Sequence, residues 1–149
     1  MRGHIVRSTV IITLAAVIIF LLSGCSLFAQ SASAKKELDE HVVSMIDQFV
    51  ERDTEGAYAL LHPNTISRED FDISAERIYK FFLAGEGYTW KSETYNYSRS
   101  VGTPGNNRIK INGTYRVQTN GHEYLITVEW ITDESGKGFT VFQIAQCVS

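Results

Sequence analysis

From Lys35 to Arg52 the apolar residues Leu38, Val42, Met45, Ile46 and Phe49 recur at helical spacing, with Lys36, Glu40, Asp47 and Glu51 on the other side. This pattern predicts an amphipathic helix that commits one face to a core. A second, short helix is expected from Thr54 to Leu61, capped by Asp53, burying Ala57, Leu60 and Leu61, and stopped by Pro63. Ser67 with Asp70, or Ser74 just before Ile78, Phe81 and Phe82, starts a third helix that ends at Gly85.

After Gly87 the period changes from helical to alternating. Ile109, Ile111, Gly113, Tyr115 and Val117 share one face of a strand, and Lys110, Asn112, Thr114 and Arg116 the other. Asn120-Gly121 is a strong signal for a two-residue type I′ hairpin. Its register opposes Val117 to Tyr124, Tyr115 to Ile126, Gly113 to Val128 and Ile111 to Trp130, so every apolar position meets another. Gly113 reads as a bend or bulge in that strand. An earlier strand is expected from Tyr88 to about Arg99, followed by a loop over Val101 to Asn107. A last strand runs near Phe139 to Val148, with either Phe142 and Ile144 or Phe139, Val141 and Ala145 facing the helices. Helices first and strands after predict an α+β domain, with one face of an antiparallel sheet of about four strands covered.

The opening residues follow a different pattern. Arg2, His4 and Arg7 lead into an apolar run from Val10 to Leu22, interrupted only by Thr13. That is the layout of a signal peptide, and the run is short for a spanning helix, which needs about 20 apolar residues. The run ends in Leu22-Ser23-Gly24-Cys25, which resembles the lipobox of bacterial lipoproteins. The resemblance implies cleavage after Gly24 and attachment of lipid to Cys25, which would then hold the protein to the extracytoplasmic side of a membrane in the cell envelope. Residues 1–24 are thus expected to be a signal peptide, 25–34 a small, polar lipidated tether, and 35–149 a single domain. Cys147, the only other cysteine, is expected to be a small, largely apolar side chain without an intrachain partner.

Composition narrows the function classes. The chain has 149 residues, 44% hydrophobic and 21% charged, as a globular domain should. Its net charge is −3, and with Arg2 and Arg7 removed, 12 basic against 17 acidic residues leave −5. No basic field exists to bind nucleic acid. No Gly-rich phosphate loop and no His or Cys pair at metal-ligand spacing occurs, so neither cofactor nor metal is expected.

The order of a long helix, a short helix whose Asp53-Thr54-Glu55-Gly56-Ala57-Tyr58 leads to Leu60-Leu61-His62-Pro63, a third helix and then long strands resembles the nuclear-transport-factor-2-like (cystatin-like) lipoproteins over residues 35–148. The resemblance implies a cone-shaped fold whose curved sheet and helices enclose a cavity. Tyr58, Tyr79, Tyr115, Tyr124 and Trp130 are its candidate lining. Enzymes of that superfold use an Asp base and a Tyr donor, but the inward rows of the predicted hairpin hold no carboxylate or histidine. Asp72 is the nearest helical substitute, with a helix-start role as the plainer reading. His62 reads as a helix-end side chain, so no catalytic residue is assigned. Tyr88, Trp90, Tyr95 and Tyr97 crowd one strand, and strict alternation would turn some of them outward. Tyr95 and Tyr97 are therefore candidates for a protein or peptide contact. The expected function is a lipid-anchored binding or interaction module. The alternatives are a small cavity enzyme or hydrophobic-ligand carrier, and an envelope-assembly accessory or membrane-protein inhibitor.

Overall fold

The computed structural model describes residues 29–100 and 107–147. The chain divides into two units, Met1–Ala34 and Lys35–Ser149, and the second holds the sheet and the helices packed on it. Its elements are α1 (residues 29–51, of which 35–51 belong to this unit), α2 (Thr54–Ala59), α3 (Arg68–Ile78), β1 (Thr89–Ser100), β2 (Arg108–Thr119), β3 (His122–Asp133) and β4 (Gly136–Gln146). The strands form a curved, unclosed antiparallel meander in the order β1-β2-β3-β4. The protein is therefore of the α+β class. Residues 29–34, expected from their polar character to be a tether, are helical, as their three alanines favour.

All five residues of the α1 stripe, Leu38, Val42, Met45, Ile46 and Phe49, are in the core. The helix ends in a Schellman motif: the Asp53 N–H donates to Gln48 O and the Arg52 N–H to Phe49 O. Arg52 takes the left-handed conformation at φ 63°, where glycine is usual. Asp53 then caps α2 by accepting from the Gly56 N–H at 2.8 Å. Ser67 caps α3, accepting from the Asp70 N–H, while Ser74 sits in mid-helix and bonds back to Asp70 O. The helix stops at Ile78, short of Gly85, and the chain continues in turns. The guanidinium of Arg52 lies 4.3 Å from the Tyr79 ring and donates to the carbonyls of Tyr79 and Phe82. Carbonyls that a longer helix would have satisfied internally are satisfied there by one side chain.

The β2–β3 hairpin has the register that the apolar pattern predicts, with Val117 opposite Tyr124, Tyr115 opposite Ile126, Gly113 opposite Val128 and Ile111 opposite Trp130. Asn120 and Gly121 have φ values of 55° and 73°, as a type I′ turn requires. Gly113 is not a bulge, since its pairing runs unbroken on both sides. It is a seat for α1: a Cβ there would lie 2.9 Å from Tyr115 Cε2 and 3.1 Å from Leu38 Cδ2. The bulges fall in the flanking strands, between Ser92 and Thr94 in β1 and at Thr140 in β4. Each changes the parity of its strand.

In β4 the extra residue puts Phe139 opposite Trp130, and Phe142 and Ile144 opposite Val128 and Ile126, on the covered face. The two expected registers are therefore each correct for part of the strand, whereas Val141 and Ala145 pair with Glu129 and Leu125 on the outer face. In β1 the shift places Trp90, Tyr95 and Tyr97 opposite Val117, Gly113 and Ile111, all on the covered side. Strict alternation would have separated Trp90 from the two tyrosines. The outer face carries charge instead: Arg116 bridges Glu93 of β1 and Glu123 of β3, and Lys110 meets Glu129 at 2.5 Å. These pairs hold the carboxyls of Glu93, Glu123 and Glu129 below the usual range.

Two glycines should be costly to replace. A Cβ on Gly138 would come within 2.2 Å of His62 N and 2.3 Å of Leu61 C, backbone atoms that cannot swing aside. Gly138→Ala is expected to destabilise by about 3 kcal/mol or more, at the upper end for overpacking, and Gly113→Val by ~1–3 kcal/mol because the neighbours are side chains. Urea unfolding followed by tryptophan fluorescence measures both.

Candidate functional site

The feature best suited to hold a ligand is a groove between the helices and the free edge of β4. Met45 and Phe49 of α1, Phe71, Ser74 and Ile78 of α3, and residues Thr140 to Gln143 of β4 surround a space of about 300 Å³. No lining residue of this space is titratable. It continues, past Ser74, Ile78, Phe142 and Gln143, into a second space of about 630 Å³ where, among the described residues, Arg77 is the only charged group. The size suits a small ligand or a few side chains, and the lining offers apolar contact without acid or base chemistry.

The groove exists because β4 has a partner on one side only. Its start is taken by the segment after α2, where Phe139 N–H donates to Leu60 O and His62 N–H donates to Phe139 O. The chain then turns away at Pro63 and α3 returns alongside. His62 fixes this corner, with Nε2 3.1 Å from Asp133 Oδ1 and Nδ1 3.1 Å from Pro63 O. The histidine and the Ser135 N–H together lower the Asp133 carboxyl. His62 thus joins the β3–β4 turn to the helical layer, a contact its position before Pro63 did not announce.

The five residues expected to line a cavity lie elsewhere. Tyr58 packs on Phe71 and donates to Ile66 O, and the Tyr79 hydroxyl meets Thr54 Oγ1 beneath Arg52. Tyr124 is buried against Phe81, and Trp130 stacks on His41 with ring centroids 4.0 Å apart. The Trp130 Nε1 has no partner among the described residues. Tyr115, fully buried, donates to Asp39 Oδ1 of α1 at 2.8 Å. None of the five borders the groove. Tyr95 and Tyr97 are half-buried on the covered face of β1.

Carboxylates do reach the inner side from α1, and one of them, Asp47, belongs by helical spacing to the polar face. Asp39 takes Tyr115 and the ammonium of Lys35, and Asp47 takes the Tyr88 hydroxyl at 2.7 Å. Burial, and then the hydrogen bond that each hydroxyl donates to its carboxylate, push both tyrosines well above the normal range. These pairs fasten α1 to the sheet with both phenols protonated. Eight residues separate the aspartates, about two helical turns, so the spacing was readable, but nothing in α1 alone identified their partners. Asp72 is exposed and paired with Arg68.

Cys147 is a free thiol beside Glu123, and Cys25 lies outside the described residues. Among the described residues no cluster of His, Cys, Asp or Glu could hold a metal ion, and no helix is long and apolar enough to cross a membrane. No protein-family model and no curated protein matches the chain.

Breaking the tyrosine–aspartate contact should cost stability without unfolding the domain. Tyr115→Phe is expected to lose ~1–2 kcal/mol, since a hydrogen bond to a charged group is lost while Asp39 keeps Lys35. A double-mutant cycle with Asp39→Asn checks that the loss belongs to the pair. A pH effect should come from His41, whose imidazole burial holds below 6.5 against the opposing pull of Glu37 and Glu40 and with the help of Lys137. The unfolded chain takes up that proton first. Stability from this group is therefore complete above about pH 6.5 and is lost as pH falls through the lowered value. His41→Phe, which keeps a ring on Trp130, should flatten the urea midpoint over that window.

Proposed function

We propose that the protein is a lipid-anchored, extracytoplasmic binding module, and that the groove between α3 and β4 is its binding site. The localisation is supported by the Arg-flanked apolar run and Leu22-Ser23-Gly24-Cys25. The element order supports a nuclear-transport-factor-2-like domain, with helices preceding a curved meander. The observation that carries the binding reading is the groove itself: about 300 Å³, bordered by Met45, Phe49, Ile78 and Phe142, with no titratable group. Binding needs shape and apolar area, which the groove supplies, whereas proton-transfer catalysis needs a positioned acid or base. The inward carboxylates Asp39 and Asp47 are engaged by Tyr115 and Tyr88 instead.

Two substitutions test the two halves of this reading. Cys25→Ser should leave the protein unlipidated and alter its processing, read as loss of metabolic fatty-acid labelling and release from washed membranes. Retention of label would refute the anchor. Ser74→Trp, which places an indole in the groove from a half-buried helical position, should abolish the fluorescence enhancement of an apolar dye while leaving the urea midpoint nearly unchanged. Undiminished enhancement would remove the groove from the reading.

A further inference from the structure

The two edges of the sheet are built differently. β1 carries Lys91, Glu93 and Arg99 and is broken by its bulge, features that discourage a second strand from adding to it. β4 carries no charge from Gly138 to Gln146, and its bulge lies at the end already covered by Leu60 to His62. Antiparallel pairing makes successive residues point their N–H and C=O alternately toward and away from the neighbour. The Cys147 N–H donates to Glu123 O, so Cys147, Ala145 and Gln143 face β3, and Phe142, Ile144 and Gln146 face outward. Phe139 faces outward too, and its N–H and C=O are the pair that Leu60 and His62 occupy. Among the described residues, the outward groups of Phe142 and Ile144 have no protein partner. They open onto the groove floored by Phe142 and walled by Ser74 and Ile78, with Arg77 at its far end. Arg77 is exposed and has no carboxylate within ion-pair distance among the described residues.

Resting on the groove as the binding site, we propose that its ligand is an extended peptide segment that adds as a fifth strand to β4 and carries an acidic side chain for Arg77. The strand edge selects the conformation, because only an extended backbone can serve Phe142 and Ile144 together. The wall of α3 selects apolar side chains at alternate positions, since those pointing inward lie between Ile78 and Phe142. Arg77, the only cation lining the groove among the described residues, in a chain of net charge −3, favours an anionic partner over a second copy of this acidic protein.

The test uses the full chain as isolated from cells and a synthetic heptapeptide of alternating valine and threonine with one glutamate. Two derivatives carry N-methyl groups on alternate residues, one on each edge of the peptide. Blocking the edge that faces β4 should weaken binding on the order of tenfold or more, and blocking the other edge should change it little. Arg77→Glu should weaken the glutamate peptide and strengthen a lysine-containing one. Equal affinity of both methylated peptides would overturn strand addition while leaving an apolar groove site in place. If an apolar dye binds and no peptide does, the peptide ligand is refuted and the groove reading stands. If neither binds, both fall. A stable dimer whose β4 edges pair with each other would overturn the proposal in favour of a second copy.

Discussion

The fold depends on how closely α1 can approach β2. Gly113 leaves room for Leu38 to settle onto the sheet, and Tyr115, two residues further on, reaches across to Asp39 in the next position of the helix. A single contact therefore combines the removal of apolar surface from water with a hydrogen bond to an ionised group, and it fixes both the height and the rotation of α1. Met45 and Phe49, on the same stripe, then stand where they can form the inner end of the groove. Tyr88 and Asp47 repeat the contact two turns along the helix.

Much of this was legible from periodicity. The α1 stripe, the Asp53 and Ser67 caps and the hairpin register follow from local rules that the final packing reinforces. The misses in strand parity have one cause: bulges change it, and no local signal in β1 or β4 marks where they fall. Thr140 divides β4 into two halves that obey different registers, and the shift near Glu93 brings Trp90 onto the side of Tyr95 and Tyr97. The overlong third helix fails for a different reason. Its end is set by Arg52, a residue 27 positions before the Tyr79 carbonyl to which it donates.

The candidate site was less legible than the fold because it is formed by an absence of pairing. No motif marks a groove between one helix and one strand edge. Its one trace in the sequence is the uncharged run from Gly138 to Gln146, which reads equally well as a buried strand until the sheet order places it outermost. The tyrosines offered an obvious chemistry, but their hydroxyls are used to hold helices: Tyr115 and Tyr88 to α1 carboxylates, Tyr79 to Thr54. The polar groups inside the domain thus serve its architecture, and the surface that remains available is apolar and edge-like.

That view turns on whether the outward backbone of β4 is open in the free protein. Amide hydrogen exchange resolved by residue tests it directly. Phe142 and Ile144 should exchange fast, while Gln143 and Ala145, bonded to β3 between and beside them, exchange orders of magnitude more slowly. Uniform slow exchange across all four would mean that the edge is already covered, and would contradict the account.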